Sequence, residues 1–274
     1  MSGVLEITVL GCGSSAGAPR ADGAWGACDP AEPRNHRSRC SLMVRRKGEG
    51  PERETTVLID TSPDLRLQTA RAGARRLDAV LLTHDHADQV HGLDDVRAFF
   101  LNQQARIPAY MDAATRRTMR TRFGYAFVDQ HGYPAICEDR PLPAHGLGWA
   151  VEGPSGPIPV VTFDQDHGSV RSVGYRFGDV AYSADVVGLD ERAFAALAGV
   201  KVWIVDALRW RRHPTHANVD QALAWIERVK PQRAILTNLH IDLDYGALAA
   251  QLPPGVEPAY DGLRFDIALG GGNP

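Results

Sequence analysis

The stretch that decides the reading is LLTHDHADQVHG, Leu81 to Gly92. A short apolar run, Leu77 to Thr83, reads as a buried strand, and at its end come His84, His86 and Asp88 at alternate positions, then Gln89 and His91. Imidazoles and carboxylates buried at a strand end must each be hydrogen-bonded or paired. Three of them at i, i+2 and i+4 exceed what packing asks for, and a metal ion would satisfy all three at once. His91 falls on another face if a helix has begun, and it is read as structural.

Four more acidic or imidazole groups end strand-like runs elsewhere. His167 follows PVVTFDQD, Asp185 follows VAYSA, Asp206 follows VWIV, and His240 follows AILTNL. Strand ends of layered α/β folds converge on one edge, where ligand sites form. Imidazole with carboxylate suits Zn²⁺, Mn²⁺ or Fe²⁺. The set can carry two ions: His84, His86 and His167 on the first, Asp88 and His240 on the second, with Asp185 bridging through its two oxygens. Such a pair activates water and stabilises both the attacking and leaving oxygens of a phosphodiester.

The rest of the chain frames this edge. Glu6–Leu10, Cys40–Arg46 and Thr55–Asp60 read as strands, the last two joined by the turn KGEGPERE. SPDLRLQTARAG has a Ser-Pro start and a Gly stop, so it reads as a helix, as do LDDVRAFFLNQ and residues 113–127. Residues 129–148 carry prolines that break any period and read as irregular, a candidate lid or dimer contact. IPVVTF, SVGYRFG and DVAYSAD follow as strands, and the last third alternates helix and strand from DERAFAALAG to LRFDI. Antiparallel-looking strands early and β-α alternation late predict an α/β chain of two sheets covered by helices, an αββα four-layer sandwich, rather than one doubly wound sheet. With no repeat and no linker, residues 1–274 are expected to form one domain.

Bulk properties narrow the function classes. Hydrophobic residues make up 44% and charged residues 23%, with a formal net charge of −3, which speaks against a strongly basic nucleic-acid surface. No apolar run is long enough to span a membrane. The N-terminus lacks the positive region of a signal peptide, and the four cysteines follow no disulfide spacing, so a reducing cytoplasm is expected.

THDHADQVHG resembles the H-x-H-x-D-H signature of the metallo-β-lactamase superfamily. VTFDQDHG, VAYSADV and TNLHIDLD resemble its later ligand motifs, in the same order. TVLGCGSSAGAPR, WGACDP and RCSLMV resemble the branch that contains phosphoribosyl 1,2-cyclic phosphate phosphodiesterase and, more distantly, the tRNA 3′-processing nuclease. The resemblance covers nearly the whole chain. It implies a metal-dependent hydrolase in which a metal-bound hydroxide attacks a small phosphodiester, cyclic phosphate or nucleotide. The metal set would be His84, His86, Asp88, Gln89, His167, Asp185 and His240, holding one or two Zn²⁺ or Mn²⁺. A homodimer is a further expectation from the resemblance, and a long nucleic acid is not the expected substrate.

Two departures stand out. Gln89 occupies the place of a histidine, and its amide is a weaker, neutral ligand. The second site should bind metal less tightly or lean towards Mn²⁺, unless Gln89 merely caps a helix. The N-terminal loop has only Cys28 near WGAC where the relative clusters several cysteines, so a structural zinc is not expected. For catalysis the resemblance points to a histidine in RWRRHPTHANVDQAL that protonates the leaving oxygen: His216 first, His213 second. Asp88, Asp185 and His216 are then the catalytic set, and Asp60 would orient a ligand histidine. Gln89 also motivates a rival of the same fold with a single metal, such as a thioester hydrolase or an iron-dependent sulfur dioxygenase. A non-catalytic biosynthetic accessory protein is the rival from another class.

Overall fold

A computed structural model describes residues 3–269. Fourteen strands run in chain order: β1 Val4–Gly11, β2 Ser41–Arg46, β3 Thr55–Ile59, β4 Ala79–Leu81, β5 Ile107–Met111, β6 Cys137–Pro141 and β7 Gly148–Val151. Then come β8 Ile158–His167, β9 Val170–Phe177, β10 Val180–Ser183, β11 Val202–Asp206, β12 Arg233–Thr237, β13 Val256–Pro258 and β14 Arg264–Ala268. They build two seven-stranded sheets, ordered β14-β1-β2-β3-β4-β5-β6 and β7-β8-β9-β10-β11-β12-β13. Each sheet has an antiparallel half followed by a parallel half, the change falling at β3 and at β10.

Alternation sets the layers. Leu5, Ile7, Val9, Val57 and Ile59 of the first sheet meet Tyr175, Tyr182, Ile204 and Ile235 of the second in a shared core. The other parity faces helices. Met43, Leu58 and Val80 pack on α1 (Leu65–Ala72), on Val90 of α2 (Ala87–Val90), on α3 (Arg97–Gln103), α4 (Ala113–Arg122) and α5 (Gly124–Phe127). Trp203, Val205 and Leu236 pack on α6 (Glu191–Leu197), α7 (Val219–Val229) and α8 (Tyr245–Gln251). The layers are helix, sheet, sheet, helix, as the sequence predicts. Among the described residues no helix is long and apolar enough to cross a membrane.

The structure differs from the sequence reading in three places. Residues 129–148 are not irregular throughout, since they contain β6 and the first residue of β7. β6 is a polar edge strand, mostly exposed and ending in proline, so no apolar alternation marks it. The helix expected over residues 113–127 breaks at Phe123, whose backbone leaves the helical region. The helix predicted for LDDVRAFFLNQ opens with a 3₁₀ turn, Leu93–Val96, before α3.

The sheets are stapled where β4 ends. The Tyr175 hydroxyl of β9 donates to the Leu82 carbonyl at 2.6 Å, and the Val173 amide donates to the Thr83 carbonyl at 2.9 Å. Both bonds fix the residues just before His84. Replacing Tyr175 by Phe would strand a buried carbonyl, which costs about 1–3 kcal/mol. Urea unfolding of Tyr175→Phe should show its midpoint reduced accordingly, and an unchanged midpoint would mean that the staple carries no stability.

Candidate metal centre

β8, β10, β11 and β12 run in one direction, because β8 and β10 are each antiparallel to β9 and β11 and β12 follow β10 in parallel. Their ends therefore open on one edge, which delivers His167, Asp185, Asp206 and His240 to it. The loop after β4 brings His84 and His86 from the other sheet. One ligand atom from each of His84, His86 and His167 lies within 4.8 Å of the other two. The same holds for His167, Asp185 and His216.

Hydrogen bonds fix which nitrogen of each ring is free. Asp60 accepts from the Thr83 amide (2.7 Å) and from the Thr83 hydroxyl (2.9 Å). With its proton committed to Asp60, that hydroxyl accepts from His84 Nδ1 at 3.0 Å. His84 Nε2 is left buried with no partner. His167 Nδ1 donates to the Thr215 carbonyl at 2.7 Å, which turns Nε2 inward to lie 3.3 Å from His86 Nδ1. Two ligand nitrogens at ~2.0–2.1 Å from a tetrahedral metal sit ~3.3–3.4 Å apart. An orphaned lone pair and this spacing fit a cation on His84, His86 and His167. Burial holds His84 well below its usual pKa, and burial with the neighbouring His216 takes His167 down to about 4, so both rings are neutral and ready to ligate.

Asp185 and Asp206 are buried almost completely, and burial pushes both carboxyls up. His216 works against that. Its Nδ1 lies 2.8 Å from Asp206 Oδ2 and 3.7 Å from Asp185 Oδ1. Burial alone would lower His216, but the charge and hydrogen bond of Asp206, with Asp185 and Asp88 beyond, raise it to about 9. Asn238 Nδ2 stands 3.0 Å from His216 Nδ1 and 3.4 Å from Asp185 Oδ1.

Three strands leave for the site through left-handed residues that are not glycine: Asp60 after β3 (φ 61°), Asp185 after β10 (φ 54°) and Asn238 after β12 (φ 61°). Asp and Asn tolerate this region better than other L-residues, and such conformations gather at functional sites. Gly92, which closes the opening motif, is required for another reason. A Cβ there would stand 2.0 Å from the Ser62 carbonyl oxygen, so only glycine lets the chain after α2 press against the exit of β3.

The structure brings together His84, His86, His167, Asp185 and His216. Asp88 is half-buried beside them, and Gln89 is fully buried with its Nε2 2.9 Å from Asp185 Oδ2. His240 follows the end of β12 at the same edge. Its Nδ1 accepts from the Asp242 amide at 3.2 Å and faces the Asp242 carboxylate, outside both ligand groups. HIDLD turns back on itself, so that the Asp242 amide holds Nδ1 of the ring. His91 packs on Phe123, and His213 bonds to Thr215 while lying 5.1 Å, centroid to centroid, from His216. Asp206 is the residue whose pairing with His216 the sequence hid. It ends an apolar strand like the others, but nothing local links it to a histidine ten residues on.

A helix-covered double sheet with a histidine and carboxylate centre at its strand ends defines a metallohydrolase-type sandwich. Residues 55–241 match the family described as the Beta-lactamase superfamily domain, and the chain belongs to that family. A crystal structure of a diphosphatase from the PhnP family is 32% identical, covers 98% of this chain and 99% of its own, and superposes with a TM-score of 0.85. Zinc-bound PqqB from Methylobacterium extorquens is 17% identical over 96% of this chain and 100% of its own, with a TM-score of 0.71. Human short-form tRNase Z is 15% identical over 95% and 98%, with a TM-score of 0.64. An octanoyltransferase of Porphyromonas gingivalis is 30% identical over 272 residues, 96% of this chain and 52% of that protein, so the chain spans about half its length.

Thr83 carries the link from Asp60 to His84. Loss of such an orienting partner lowers metal affinity by about 10–100-fold. Competition of Thr83→Val against a chromogenic chelator should show a loss of that size, whereas wild-type affinity would mean that packing alone aims the ring.

Proposed function

We propose that the protein is a metal-dependent phosphodiesterase acting on a small phosphodiester, cyclic phosphate or nucleotide. The observation that carries this reading is the hydrogen-bonded pair His216–Asp206, set against the histidine triad with the His216 ring 4.7 Å from that of His167. His84, His86 and His167 would hold a Zn²⁺ or Mn²⁺ ion, which would supply Lewis acidity towards water and the phosphoryl oxygens. Asp206 holds the Nδ1 proton of His216 and stabilises the imidazolium. Its Nε2 is then the nitrogen that passes a proton to the leaving alkoxide as the phosphorus–oxygen bond breaks.

A cleft beside Asp88 has room for a small substrate. It is about 540 Å³, lined by Ser15, Arg20, Arg39, Pro63 and Ala87. Small-molecule sites run to ~300–1,000 Å³. Arg20 and Arg39 line the cleft, paired with Asp22 and Asp64, and a guanidinium can also engage an anionic group on the substrate. The diphosphatase relative supports phosphoryl chemistry at 32% identity over nearly all of both chains. The octanoyltransferase name supports a second reading, acyl transfer or thioester hydrolysis. A cysteine-based form of it lacks a nucleophile, because Cys12, Cys28, Cys40 and Cys137 are all buried and burial raises the pKa of each thiol.

Chelator-stripped protein should not turn over bis(p-nitrophenyl) phosphate until Mn²⁺ or Zn²⁺ is restored. His216→Gln and Asp206→Asn should then lose about 10²–10⁴ in kcat on an alkyl phosphodiester. On the nitrophenyl ester the loss should be far smaller, because that leaving group needs no proton. Equal losses on both esters would remove His216 from the role of acid, and hydrolysis without metal would overturn the reading.

A further inference from the structure

The ligand set expected for a second cation is Asp88, Gln89, Asp185 and His240, and in this chain it is engaged in another way. Gln89 Nε2 donates to Asp185 Oδ2 at 2.9 Å and lies 3.4 Å from Asp88 Oδ2. A carboxylate bridges two metals by giving one oxygen to each. Here Oδ2 of Asp185 accepts an N–H at 2.9 Å, while Oδ1, approached by Asn238 Nδ2 at the longer distance of 3.4 Å, is turned towards the triad, 3.9 Å from His167 Nε2. An amide N–H and a cation cannot share one side of that oxygen, since the N–H dipole presents its positive end. His240 accepts from the Asp242 amide through Nδ1 at 3.2 Å.

We propose that the centre takes a single cation on the histidine triad, and that the Gln89 amide stands in for a second by tying Asp88 to Asp185. The orientation of the amide is dictated by its neighbours. Gln89 is inaccessible to solvent, and its Oε1 is buried without a partner. Reversing the amide would set Oε1 2.9 Å from Asp185 Oδ2, two acceptors in a buried pocket, which costs more than one unmade bond. The positive end of the amide partly offsets two carboxylates that would otherwise repel, and it holds Asp185 with Oδ1 towards the triad. Stabilisation of the leaving oxygen then rests on His216 and its proton, not on a second metal.

The inference rests on the triad being the metal centre, and the test separates the two. Wild-type protein is stripped with chelator, saturated with Mn²⁺, freed of excess and assayed for metal per chain by mass spectrometry. Electron paramagnetic resonance then distinguishes isolated from exchange-coupled Mn²⁺. The expected result is one ion per chain with an isolated signal, rising to two with a coupled signal in Gln89→His. Two coupled ions in the wild type would overturn the inference and leave the phosphodiesterase reading standing. No bound ion would overturn both. A Gln89→His chain that folds by circular dichroism yet stays at one ion would overturn the assignment of Gln89 as the cause. The wild-type count and spectrum decide the stoichiometry even if that variant fails to fold.

Discussion

A carboxylate taken out of water without compensation costs several kcal/mol, and this chain takes three out at one edge: Asp60, Asp185 and Asp206. Each is given a partner of fixed direction. Asp60 is held by Thr83, Asp206 by His216 and the Val186 amide, and Asp185 by Gln89. The three imidazoles of the triad add to the demand, because His84 Nε2 is buried and unmet. A cation held by the triad would meet that lone pair. The two-sheet architecture supplies the rigidity, since the residues before His84 are bonded across to β9 of the opposite sheet.

Much of this was legible in the sequence because the signals were local. An apolar strand that ends abruptly in histidine or aspartate is a pattern of adjacent residues, and it located His84, His86, His167, Asp185, Asp206 and His240. The layer order followed from alternation and from the late β-α rhythm. What escaped was relational. β14 pairs with β1, joining residues more than 250 positions apart, and no period records such a pairing. Asp206 was visible as a strand end but not as the partner of His216. Nor does any period record that the Asp242 amide engages Nδ1 of His240.

Division of labour within the site follows from the same partners. His84 and His167 have one nitrogen each tied by the protein, which leaves one lone pair with a single direction. His216 is treated in the opposite way. It is set among Asp206, Asp185 and Asp88, whose charges favour its protonated form. Imidazoles of identical chemistry are thus sorted into neutral rings and a protonated one by what stands behind each ring. Gln89 belongs to neither group, and its amide works on the carboxylates.

The left-handed exits at Asp60, Asp185 and Asn238 bear on transplantation of the site into another scaffold. At these positions the functional requirement and the backbone requirement select nearly the same short alphabet, aspartate and asparagine. Glutamate offers the same carboxylate but not the same ease in that conformation. A graft that copies side-chain identities onto ordinary extended strand ends would therefore keep the composition of the centre and lose its aim. The portable unit is the strand together with its turn, and a combinatorial library built on this chain gains most by leaving those three codons alone.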